Sequence, residues 1–213
     1  MQKVTTAVFQ LDASGDTRGG FREIVTTAWP IVVSMLSSTA MGVVDTLYVG
    51  HLGTDELAGV AIAATAAMLV CGLGLGGLRG VKVIAAQATG AGESDMARRI
   101  GWQGLWLAMA LGSYVAALAF VADDVAALMG ASGTVLAHAG TYLTYRCIAA
   151  PGWFVLTALT EHRQGLGDTK ASMRFNVLAN VLNVALDPLF IFGWGVVPAM
   201  GVAGAGLATV CGF

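Results

Sequence analysis

Apolar and polar positions alternate along this chain in long blocks. Apolar runs of about twenty residues are separated by short stretches rich in Gly, Asp, Glu, Lys and Arg. Runs of that length fit helices that cross a hydrocarbon layer roughly 30 Å thick. The pattern predicts spans over residues 24–50, 57 into the eighties, 100–121, 135–159 and 173–192. A sixth run, 201–213, has 13 residues. At 1.5 Å per residue it reaches about 20 Å, short of a full crossing. The chain stops inside a span, so we expect it to be a fragment of a longer protein.

One run carries polar residues where lipid would not tolerate them. In the fifth span Asn176, Asn180, Asn183 and Asp187 recur at i, i+4, i+7 and i+11. At a helical repeat they form one narrow stripe. In the first span Ser34, Ser38, Met41 and Asp45 share a face. Such faces must meet protein or water. Asparagines of this kind can simply hold helices together through interhelical hydrogen bonds. Two carboxyl groups change the balance, because a buried charged acid must be protonated or meet a cation. Pro188 follows Asp187 and removes the N–H that would bond the Val184 carbonyl. That carbonyl is either a further cation ligand or only the site of a kink.

Composition agrees with the pattern. Of 213 residues 56% are hydrophobic and 11% charged, and the mean hydropathy is +0.74. A soluble domain carries roughly 25% charged residues. The fold class is therefore all-α, a polytopic membrane helix bundle. Residues 1–20 are polar, mixed and without the apolar core of a signal peptide, so they read as a mobile tail.

Placement of charge orients the bundle. With the N-terminus in the cytoplasm, Lys3, Arg18, Arg22, Arg98, Arg99, Arg163, Lys170 and Arg174 fall on that side. The opposite loops, 50–56, 122–134 and 193–200, carry no Lys or Arg, but do carry Asp55, Glu56, Asp123 and Asp124. This is the positive-inside pattern of a cell-membrane protein. Asp45 and Asp187 then lie at one depth, each roughly 8–9 Å below the outer helix end.

The remaining motifs weigh less. Cys71, Cys147 and Cys211 stand singly in apolar runs and read as small core residues. Gly72, Gly74 and Gly77 have GxGxxG spacing but no βαβ context, so close helix packing is the better account. Arg146 sits in mid-span, five residues before Pro151. It either pairs with an acid, caps carbonyls at a proline kink, or lines a cavity used in transport. His51, His138 and His162 read as solvated loop or interface residues. Thr54 or Asp55 is the expected N-cap of the second helix. No nucleophile–base or metal constellation supports an enzyme, no cofactor is implied, and no basic, aromatic-interleaved surface suggests nucleic acid.

Several segments are familiar in their order. PIVVSMLSSTAMGVVDTLYVGHLGTDELAGVAIA resembles the first two helices of the multidrug and toxic compound extrusion (MATE) family. AAQATGAGESDMARR is similar to the loop between its second and third helices. QGLGDTKASM with NVLNVALDPLFIFG resembles its fourth loop and fifth helix, and GVAGAGLAT the start of its sixth. The DPLFIFG and QGLGDT segments favour the DinF-like branch. The resemblance implies that residues 21–213 form the N-terminal lobe of a two-lobe antiporter, with the C-terminal lobe or a second half as partner. It implies exchange of organic, often cationic, molecules for Na⁺ or H⁺. By matching motif, the coupling-ion residues are Asp45, Asn183, Asp187 and Thr209. Asn180 is added by the stripe, and a Na⁺ site at Asp45, Asn183 and Asp187 is one form the site can take. Two rivals remain: a lipid-linked or polysaccharide flippase of the same superfamily, and a non-transporting fragment. Arg79 and Lys82 stand where the family has small or apolar residues, and Glu161–His162 where an Arg-Gly pair is common.

Overall fold

A computed structural model of the chain describes residues 17–194 and 197–212. They form helices α1 (Thr17–Gly50), α2 (Thr54–Gly90), α3 (Ser94–Ala117), α4 (Ala122–Leu128), α5 (Gly133–Gly165), α6 (Thr169–Ile191) and α7 (Val202–Gly212). The six expected spans correspond to α1, α2, α3, α5, α6 and α7. Of the expected tail, 1–16 lie outside the described residues, and 17–20 already belong to α1.

By length and composition, Ile24–Gly50, Thr54–Gly72 and Ser94–Leu128 are each able to cross a membrane. Their outer faces are apolar: Met35, Leu36, Leu47, Met68, Trp106 and Tyr114 are all more than half exposed. In a soluble protein such a surface would aggregate; here it is the face that lipid covers. Several threonines inside the spans are satisfied locally. Thr46, Thr65, Thr144 and Thr157 each donate their hydroxyl to the carbonyl four residues back, at 2.7–2.9 Å. That lets threonine occupy a helix in an apolar medium without an unpaired hydroxyl.

The helices form two groups. α5 is the central element, packed along α2 and α3, while α1 packs mainly on α6. α7 wedges between α5 and α6 and joins the groups. Small residues allow these approaches. A Cβ on Gly74 would lie 2.7 Å from the Phe154 ring, and one on Gly112 would lie 2.5 Å from the Pro151 Cα. Of the GxGxxG glycines only Gly74 is packed this tightly; Gly77 has ordinary contact and Gly72 faces open space.

Three local expectations change. The third span does not end at Asp123 and Asp124. The chain passes through a 3₁₀ turn, Leu118–Val121, into α4, and both acids sit in the first turn of α4. There their charge suits the helix dipole. The N-cap of α2 is Gly53, without a side-chain cap bond. Asp55 instead accepts a hydrogen bond from Thr134 at 2.5 Å, tying α2 to α5. His162 is no solvated loop residue: its Nε2 lies 2.9 Å from the Ala97 carbonyl, and its ring fills the space beside Gly101.

Candidate functional site

The polar stripe of α6 faces inward. Asn180, Asn183 and Asp187 are all buried, Asn183 and Asp187 almost completely. Asn176, nearer the other end, is half-buried, and its amide donates to the Ser172 carbonyl at 3.0 Å. The stripe divides accordingly. Its lower part makes hydrogen bonds and its upper part has few.

Asn180 is the hinge between the two parts. Its Nδ2 donates to Ser37 Oγ at 3.0 Å and to Ser38 Oγ at 3.1 Å. These bonds pin α6 against α1 and set the register that brings Asp45 to Asp187. Asn180→Ala is expected to lower stability by about 1 kcal/mol, in line with interhelical polar contacts in membranes. A reversible denaturation series checks it, and an unchanged midpoint would contradict it.

One turn and two turns above, the pattern changes. The Asp45 and Asp187 carboxyl groups, from α1 and α6, lie close enough to interact directly. Two carboxylates have no donor between them and repel each other. The pairing is favourable only when the two share a proton or a cation neutralises them. Asp45 Oδ1, Asp187 Oδ2 and both polar atoms of the Asn183 amide are buried with no hydrogen-bond partner. Native interiors rarely leave such groups unmet. Three unmet oxygens on two helices are the donor set that a hard cation such as Na⁺ takes, and the acids alone suffice for a proton. The residues present therefore fit either ion.

α7 closes the site from the side. Thr209 is buried, with its hydroxyl donating to the Ala205 carbonyl at 3.1 Å. A Cβ on Gly212 would lie 3.2 Å from that of Asn183, so α7 lies directly on this part of α6. The structure thus brings Asp45, Asn183, Asp187 and Thr209 to one place. Asn180 is the base of that place and not part of its open donor set.

Two α5 residues complete the surroundings. Tyr142, a buried residue that sequence reasoning missed, reaches the Thr209 side chain and lies within electrostatic range of both acids. A lone aromatic inside a span gives no periodic signal. Its one clue is the i,i+4 spacing to Arg146. Arg146 acts on Asp45 through its charge but makes no ion pair or hydrogen bond among the described residues. It lines a small, mostly apolar cavity with Cys71 and Cys147. Direct pairing with an acid is therefore not its arrangement. Cys147 is buried and Cys71 half-buried, as expected of core residues, but Cys211 is exposed.

Comparison with known proteins gives a consistent picture. Residues 30–189 match the MatE family model. The chain is 29% identical over 189 residues to the multidrug resistance protein MdtK of Yersinia enterocolitica, covering 88% of this chain and 41% of that protein. Among solved structures it is similar to a MOP superfamily transporter from Pyrococcus furiosus, at 26% identity and a TM-score of 0.80. That match covers 89% of this chain and 41% of the other. An outward-facing multidrug resistance MATE family transporter matches equally, with 26% identity, a TM-score of 0.80, and 89% and 42% coverage. The chain spans about 41% of the length of the curated relatives it matches.

Proposed function

The chain belongs to the MatE family, and we propose that it forms the N-terminal lobe of a cation-coupled antiporter that exports organic, often cationic, molecules. Its partner is then a C-terminal lobe or second half, and its place is the cell membrane, with the N-terminus in the cytoplasm. The DinF-like branch remains the assignment suggested by DPLFIFG and QGLGDT. The observation that carries the proposal is the Asp45–Asp187 pair, with unmet oxygens buried at the junction of α1, α6 and α7.

The mechanism follows from where those groups sit. Without an ion the two acids repel and α1 separates from α6. With a proton or Na⁺ bound, the pair closes and α7 seats against it. Ion binding is thereby a packing event at a helix junction, which is what alternating access requires. Because the site lies in the outer half, loading occurs from outside and favours release of cargo outward. The relatives named as multidrug resistance proteins support export of diverse small molecules.

The test is transport by the full-length protein in proteoliposomes. An inward Na⁺ or H⁺ gradient should drive efflux of a fluorescent organic cation, and collapse of the gradient should stop it. Efflux that ignores both gradients would overturn the proposal. Asn183 offers a sharper check, because an unmet amide costs stability while a functional one is retained anyway. Asn183→Leu is expected to hold or raise the denaturation midpoint and to slow ion-driven efflux at least tenfold. A lowered midpoint with unchanged efflux would make Asn183 a structural residue.

A further inference from the structure

At the other end of the bundle from the acid pair, α1, α2, α5 and α6 enclose a cleft of about 700 Å³. It is distinct from the site above and shares none of the acid pair's residues. Its charged lining, Arg79, Lys82 and Glu161, comes from residues that departed from the family resemblance. Arg79 and Lys82 are three apart on α2 and face it together. Glu161 and Gln164, three apart on α5, face them.

The charges do not cancel. Lys82 Nζ donates to Gln164 Oε1 at 2.6 Å and lies 3.8 Å from Glu161 Oε2. Gln164 Nε2 in turn donates to Ser172 Oγ at 2.9 Å, so Lys82 is held in place across three helices. Glu161 opposes one positive charge only. Arg79 has no hydrogen bond or ion pair among the described residues, yet it faces the cleft. Glu161 Oε2 is buried and accepts no hydrogen bond. The cleft therefore offers one uncommitted guanidinium, that of Arg79, while the Glu161 carboxylate is already engaged by Lys82. The cleft's apolar wall includes Met35, Leu75 and Trp153.

We propose that this cleft binds a small amphiphile whose anionic group, a carboxylate or sulfonate, meets Arg79 while its apolar body lies against Trp153 and Leu75. Arg is suited to this because its planar fork takes such groups through two parallel hydrogen bonds. Glu161 is already paired with Lys82, so the anionic group of a ligand is what the cleft selects. The proposal concerns binding and does not depend on the coupling site. An anionic lipid headgroup has the same chemistry, so the test separates the two sources.

The probe is dansylglycine, with its uncharged methyl ester as control. Both are titrated by fluorescence into the full-length protein in phosphatidylcholine nanodiscs. Arg79→Gln should weaken dansylglycine binding at least tenfold and leave the ester unchanged. Arg79 is exposed and unpaired, so this variant should keep the wild-type melting temperature. Glu161→Gln should strengthen dansylglycine binding by removing the one negative charge. Wild-type protein that binds the acid no better than the ester would overturn the proposal. So would an equal loss of acid and ester in Arg79→Gln. Titration is repeated with phosphatidylglycerol in the nanodiscs. If that lipid abolishes the Arg79-dependent binding, the cleft holds a headgroup and the soluble ligand is refuted; undiminished binding supports it.

Discussion

Asp187→Asn is expected to reduce ion-driven efflux to the level of empty liposomes, a loss of at least a hundredfold. The change is nearly isosteric, so the helix junction should persist. What it removes is the ionisable oxygen of an acid that is 1% exposed, with Oδ2 unmet. An amide cannot exchange a proton, and it brings no negative charge to a cation. It can, however, donate to Asp45, which locks α1 against α6 as if the ion were always bound. The variant should therefore fold and bind cargo but fail to cycle. Asp45→Asn should do the same less completely, since Asp45 is only half-buried and water can reach its side. The measurement is flux in proteoliposomes under an imposed gradient, with counterflow of cargo as a control for intact binding. Efflux within twofold of wild type in both variants would contradict the assignment.

The largest effect on stability is expected at Gly204. A side chain there would collide with the Phe190 carbonyl of α6. That carbonyl is not free to move, because it accepts the Met200 N–H at 3.0 Å, and Ile191 accepts the Gly201 N–H at 3.1 Å. These two bonds fix the turn that returns the chain from α6 to α7. Gly204→Val must therefore push α7 away from α6, carrying Thr209 and Gly212 off the acid pair. Overpacking of this kind costs typically 1–3 kcal/mol, and the rigid neighbour places this case near about 3 kcal/mol. Gly72→Val is the matched control, since a Cβ there meets nothing within 4 Å. A denaturation midpoint lowered in the first and unchanged in the second is the expected result. Equal effects would show that helix propensity, not the α6–α7 contact, decides the outcome.

Much of the fold was legible because membrane helices write long, uniform signals. The apolar runs marked the five long helices and the shorter α7, and the polar stripe marked which side of α6 faces protein. The meeting of Asp45 with Asp187 was legible too, from their equal depth once the Lys and Arg residues had oriented the spans. Other features left no such signal. α4 is short and apolar on both sides of its two acids, so its start looked like the end of a span. The Lys82–Gln164 bond joins residues 82 apart in sequence, and nothing local to either residue announces it. His162 reads as a loop residue until Gly101 opens a space for its ring. Tyr142 gains its place from the fold of α7 over α5, which depends on Gly206 lying against Tyr145. The hydrogen bonds divide the stripe where the family resemblance had already divided it. Asn176 and Asn180 spend their amides on Ser172, Ser37 and Ser38, whereas the Asn183 amide and one carboxyl oxygen of Asp187 stay unmet.

The central claim is that the Asp45–Asp187 pair holds the coupling ion, and ion binding tests it without any transport assay. Purified full-length protein in detergent is titrated with ²²Na⁺ at fixed pH, and proton release on Na⁺ addition or alkalinisation is followed in weak buffer. The account predicts saturable Na⁺ binding or stoichiometric proton release from this lobe, lost in Asp187→Asn and strongly reduced in Asp45→Asn. Binding and release that survive undiminished in the double variant Asp45→Asn/Asp187→Asn would contradict it.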